Sequence, residues 1–95
     1  MNCDKCGKNL DFYESWVSWY WNPKTRHTVA VFITCHPSEC PAAALIDSEC
    51  PEPYELMDHE AGHVWLQLIP WIGNFKIPRS DYERLNSFAL SDSRK

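Results

Sequence analysis

The chain has 95 residues, 44% hydrophobic, 14% aromatic and 23% charged, a composition that excludes two full domains and global disorder and predicts one folded domain over residues 1–95. Seven prolines against three glycines, in a chain short enough to bury only about 60–65% of its unfolded surface, leave core burial little margin and predict an additional staple. The net charge of −4 is unevenly spread: residues 1–36 carry +1, residues 37–62 carry seven carboxylates and no Lys or Arg, and residues 63–95 carry +2. An acidic total disfavours direct nucleic-acid binding, which relies on a basic face to release counterions from phosphates.

The N-terminus lacks the charged-then-apolar pattern of a secretory leader. The longest apolar-rich run, residues 64–75, is broken by Gln67, Pro70, Gly73 and Asn74 and falls short of the roughly 20 residues a bilayer span needs. A cytoplasmic location without membrane contact is therefore expected. Thiols stay reduced there, so the five cysteines read as metal ligands or free thiols rather than disulfides.

The first element is Cys3-Asp4-Lys5-Cys6-Gly7-Lys8, a CxxC followed by glycine. Two intervening residues let both sulfurs reach one ion at about 2.3 Å, and Gly7 can take the positive φ of the tight turn. Residues 13–21 and 28–35, rich in aromatic and β-branched side chains, read as strands joined by the proline-bearing turn Asn22-Pro23-Lys24-Thr25. Such a hairpin returns the chain to its starting edge and brings Cys35 and Cys40, in CHPSECP, beside Cys3 and Cys6. Four thiolates complete a tetrahedral site, with His36 the alternative to Cys35 as third ligand. Pro41 suits the first position of a helix running through Ala42-Ala43-Ala44-Leu45-Ile46, which puts Cys40 at its start. Cys50 is left over as an unligated thiol, or as a substitute for Cys35.

Over residues 3–47, the knuckle CDKCGK, the hairpin, CHPSECP and the short helix resemble the zinc-ribbon and treble-clef family of small zinc-binding domains. The resemblance implies one structural Zn2+ in a closed site with no open position for substrate. The CHxxxC of the second pair departs from the family's commoner CxxC.

His59-Glu60-Ala61-Gly62-His63 matches HExxH, and nineteen residues separate His63 from Glu83. On a helix the two imidazoles face one side and hold zinc, while Glu60 deprotonates its bound water. This local similarity to the zincin metalloproteases implies a minimal metallohydrolase using His59, Glu60, His63 and Glu83. It covers five residues and one glutamate, in a chain with little length left for a substrate cleft. A rival reading makes residues 54–58 and 63–69 two strands of a hairpin turning at residues 59–62, because Val64, Leu66 and Leu68 alternate with Trp65, Gln67 and Ile69. The hairpin is preferred, ahead of a non-catalytic helix and of the enzyme.

Residues 80–90 read as a C-terminal helix, with Ser80 as N-cap, Glu83 closing a capping box, and Tyr82, Leu85, Phe88 and Ala89 forming its apolar stripe. On the first strand Trp16, Ser18 and Tyr20 face one way and Val17, Trp19 and Trp21 the other. Both faces are aromatic, so either the rest of the chain covers both or one is a partner surface. The expectation is an α+β zinc-stapled domain that is not an enzyme and binds another macromolecule, preferably a protein such as a basic nucleic-acid-binding one. Its contact surfaces would be Trp16, Trp19, Tyr20, Trp21, Lys24, Arg26 and the acidic segment 39–60. Direct stacking of nucleic-acid bases beside Lys24, Arg26 and His27 is the weaker alternative.

Overall fold

The computed structural model describes residues 1–62 and 76–92. It is a small α+β fold. A single-turn 3-10 segment, Phe12–Glu14, leads into strand β1 (Ser15–Trp21), followed by β2 (Thr28–Cys35), the short helix α1 (Pro41–Ala44), β3 (Glu55–Glu60) and helix α2 (Arg79–Asp92). Asp11 ends the run-in to β1 by accepting the Tyr13 N–H on Oδ1 at 3.0 Å, so the strand starts at Ser15 and not at Tyr13. Asn22 builds the β1–β2 turn, its Oδ1 accepting the N–H of Lys24 at 2.9 Å and of Thr25 at 3.4 Å.

The sheet order is β2-β1-β3, with both pairings antiparallel. β1 is therefore the central strand. Directly paired residues share a face, so Val17, Trp19, Ile33 and Met57 lie on one side and Trp16, Ser18, Phe32 and Thr34 on the other. Both sides are covered. Val17, Trp19 and Ile33 belong to a core that also takes in Phe12, Leu85, Phe88 and Ala89, with the Phe12 and Phe88 rings edge to face at 5.3 Å. Toward the α1 segment, Tyr20 donates its hydroxyl to the Ile46 carbonyl at 2.6 Å and meets the Phe32 ring at 5.5 Å. Burial raises the Tyr20 phenol, reinforced by nearby Cys50 and Glu49, which keeps it a donor. The predicted stripe of α2 is confirmed: Leu85, Phe88 and Ala89 are buried and Tyr82 partly so.

Two expectations are corrected. Residues 59–62 are not a hairpin turn, because β3 continues through His59 and Glu60 as it pairs along β1 to Trp16↔Glu60, and Ala61 and Gly62 have helical backbone. The other half of that hairpin, residues 63–69 with His63 and Trp65, lies outside the described residues. Ser80 is not the N-cap of the last helix: α2 begins at Arg79, the Pro78 carbonyl accepting the N–H of Asp81 and Tyr82 at 3.1 Å each. Glu83 is thereby freed from a capping box and pairs with Arg79, Oε1 to Nε 3.1 Å, one turn away.

One irregularity has no sequence signature. The β1–β2 register shifts between Trp19 and Tyr20, which oppose Val31 and Val29, so Ala30 is an extra, bulged residue. Its φ is +48°, in the left-handed region where an L side chain crowds the backbone. Ala30 is exposed, so its methyl group contributes little packing. Ala30→Gly should raise stability by about 0.5–1 kcal/mol, read as a higher melting temperature in circular dichroism.

Candidate metal centre

The N-terminal knuckle is pinned to the outer edge of β2 by one residue. Asp4 donates its N–H to the Ile33 carbonyl at 3.0 Å, accepts the Ile33 N–H on Oδ2 at 2.9 Å, and holds the Arg84 guanidinium with both carboxylate oxygens at 2.9 and 3.0 Å. Knuckle, β2 and α2 thus meet at a single carboxylate. Sequence reading missed this role, since an aspartate inside CDKC carries no mark of its distant partners. Within the knuckle, Cys3 N–H donates to the Lys8 carbonyl at 2.8 Å and Gly7 N–H to the Cys3 carbonyl at 3.0 Å. Gly7 adopts φ +80°, the conformation its position predicts, with no atom near where a Cβ would stand. Backbone conformation alone selects glycine here.

Cys35 closes β2 opposite Ser15. The chain then turns through residues 36–40, with the His36 carbonyl accepting the N–H of Glu39 at 2.9 Å and of Cys40 at 3.1 Å. Cys40 occupies the N-cap of α1, with Pro41 at its first position, as the sequence predicts.

These elements bring the sulfurs of Cys3, Cys6, Cys35 and Cys40 to within 4.8 Å of one another. Cys3, Cys35 and Cys40 are buried and Cys6 is exposed. The Cys6–Cys35 sulfur separation is 3.6 Å. A tetrahedral ion with metal–sulfur bonds of about 2.3 Å requires roughly 3.8 Å between sulfurs, so the cage has the dimensions of a four-thiolate metal site. Its electrostatics fit as well. Burial pushes the Cys3 thiol up, but N–H groups of Cys6, Cys35 and Lys5 converge on its sulfur at 3.4, 3.5 and 3.4 Å and bring it down to about 6. Burial, with Cys6 and Cys3 alongside, pushes Cys35 up to about 12, and burial also raises Cys40. Sulfurs crowded in this way are kept from ionising together by desolvation and mutual repulsion, both of which a divalent cation relieves.

Of the two candidates for the third position, Cys35 lies within the sulfur cluster and His36 does not. His36 faces away from the cage: its Nδ1 accepts the Ser38 N–H at 3.1 Å, meets the Ser38 hydroxyl at 2.7 Å, and its exposed ring lies 4.6 Å from that of Trp16. Cys50 stays outside the cluster, its Sγ 3.4 Å from the Tyr54 carbonyl and its thiol raised by burial.

Among the described residues the four cysteines are the only group of three or more His, Cys, Asp or Glu side chains close enough to share an ion. His59 and Glu60 lie on β3, so the HExxH letters do not form the single helix that brings two imidazoles together, and His63 is outside the described residues. His59 instead sets its ring 6.1 Å from Trp19, and Glu83 is engaged by Arg79. The predicted contact surface also changes. Trp19 is 0% and Tyr20 6% exposed, so neither ring is available to a partner, whereas Trp16 and Trp21 are half-buried and Lys24 and Arg26 are exposed at the hairpin tip.

Arg84→Ala should remove the ion pair at Asp4 and cost about 1 kcal/mol, while Asp4→Ala also strips the Ile33 N–H of its acceptor and should cost about 2. Urea unfolding of both variants and the double variant measures the difference and the coupling.

No described helix is long and apolar enough to cross a membrane. Compared with protein-family models, curated proteins and solved structures, the chain matches none.

Proposed function

We propose that the protein is a small zinc-stapled module of zinc-ribbon or treble-clef character whose role is to bind another protein. The observation that carries the reading is the cage itself: four thiol sulfurs within 4.8 Å, three of them buried, drawn from two ends of a hairpin. Cys3, Cys6, Cys35 and Cys40 would hold the ion. Four soft thiolates in a tetrahedron suit Zn2+, and with every position taken by sulfur the ion serves the fold rather than a substrate. The converging N–H groups on Cys3 favour its thiolate and orient it toward the ion. A binding role is supported by the acidic stretch 39–60, which projects carboxylates such as Glu39, Asp58 and Glu60 into solvent and suits a basic partner.

Elemental analysis of the purified protein should find one zinc per chain. Removing it with a strong chelator should cost several kilocalories per mole and lower the melting temperature by about 20 °C or more, because binding energy at such a site is folding energy. Two zinc ions per chain would overturn the single-site reading.

Ligand identity is tested separately. Cys3→Ser and Cys40→Ser should lose the zinc, whereas His36→Ala, Cys50→Ser and His59→Ala should retain one per chain. Zinc kept in Cys3→Ser and lost in His59→Ala would assign the metal to the HExxH residues instead.

A further inference from the structure

A cleft of about 360 Å³ opens beside the thiol cage, where the start of β1, the end of β3 and the turn between Cys35 and Cys40 meet. Tyr13, Trp16 and His36 supply its rings, and Glu14, Glu39 and Glu60 its charge. Tyr13 is 66% exposed, and the Trp16 and His36 rings pack edge to face at 4.6 Å, so aromatic surface lines the cleft. The three carboxylates have no ion-pair partner among the described residues, unlike Asp4, Glu49, Asp81 and Glu83, which pair with Arg84, Lys5, Arg84 and Arg79. Lys8 lines an adjoining smaller hollow that shares Glu14 and Glu39 with the cleft. The indole N–H of Trp16, on the residue paired with Glu60, is enclosed and has no hydrogen-bond partner among the described residues, though a buried indole ordinarily finds one.

We infer that this cleft is the docking site for a basic peptide segment of the partner protein, an inference that rests on the protein-binding reading and gives that partner its chemistry. A Lys or Arg side chain satisfies two demands together. Its positive head is attracted by the three carboxylates, and its stem and cation lie against the aromatic wall. A phosphate backbone would be repelled by the same carboxylates.

The test uses uniformly 15N-labelled, zinc-loaded protein titrated with a capped heptapeptide containing three arginines, and with the same peptide carrying citrulline in their place. The expected result is a saturable shift of the Trp16 indole resonance, identified through Trp16→Phe, and of the Glu60 and Ser38 amides, with the arginine peptide only. The double variant Glu39→Gln, Glu60→Gln should weaken binding about tenfold or more while zinc content and melting temperature stay unchanged. Equal shifts with the citrulline peptide, undiminished binding by the double variant, no response in the cleft, or cleft shifts produced by single-stranded DNA or by protein concentration alone would overturn the assignment. Zinc measured on the same samples separates the two proposals. One zinc without cleft binding sinks the docking site alone, and cleft binding in a chain that holds no zinc sinks the staple alone.

Discussion

The architecture depends on closing a loop of chain between two thiol pairs. Cys3 and Cys6 lie ahead of the hairpin and Cys35 and Cys40 behind it, and a single backbone–backbone hydrogen bond among the described residues, Asp4 N–H to the Ile33 carbonyl, is a weak hold between the two segments without a cross-link. A metal tetrahedron would provide one and fix four side chains at once, which a small core cannot do by burial alone. The Asp4 carboxylate works in the same direction from outside the cage, tying the knuckle to β2 and, through Arg84, to α2. The outer edge of β2 is partly covered in the process, which leaves fewer backbone groups open to unwanted strand pairing.

From that closure follows the position of β1. With β2 returned on one edge and β3 laid along the other, it becomes the central strand and is packed on both faces. A strand in that environment reads as nearly continuous apolar and aromatic sequence, because neither face meets water. SWVSWYW therefore answers to double coverage, and its two serines sit where space is short: Ser15 is buried and donates to the Phe12 carbonyl at 2.7 Å. The aromatic content that suggests an adhesive surface is spent largely on the interior, and only the strand's ends, at Trp16 and Trp21, reach toward solvent.

What could be read from sequence was local chemistry, and what could not was long-range choice. CxxCG, the asparagine-proline turn and Cys-Pro at a helix start each encode their geometry within a few residues, and each is found as expected. The partner of residues 55–60 is another matter, since an alternating strand fits a neighbouring hairpin as well as the free edge of β1, and only the assembled sheet decides. The HExxH letters say nothing about helix or strand, so the pattern was ambiguous until β3 claimed His59 and Glu60. Ser80 and Glu83 obey the capping-box spacing, yet Pro78 starts the helix one residue earlier and Arg79 offers Glu83 a partner. The bulge at Ala30 is invisible because alanine carries no preference for left-handed backbone.

The staple and the acidic cleft are built from the same stretch of chain. His36 follows Cys35, Glu39 precedes Cys40, and Trp16 pairs with Thr34, the residue before Cys35. Fixing the two sulfurs therefore fixes the spacing of the imidazole, the carboxylate and the indole that form one side of the cleft. Metal and recognition surface need not touch to be linked. On the proposed reading, a loop held in one conformation by the ion would spare a ligand entering the cleft the ordering entropy that a free loop imposes. At the far end of β1, which a strand rise of about 3.3 Å per residue places roughly 20 Å away, the hairpin tip carries Lys24 and Arg26 beyond the reach of close pairing with Glu14, Glu39 or Glu60. Lys8, on their own side, lines the hollow that shares Glu14 and Glu39, yet it forms no ion pair with them among the described residues. Glu14, Glu39 and Glu60 thus have no ion-pair partner among the described residues, the condition under which the proposed docking site would take a cation from outside the chain.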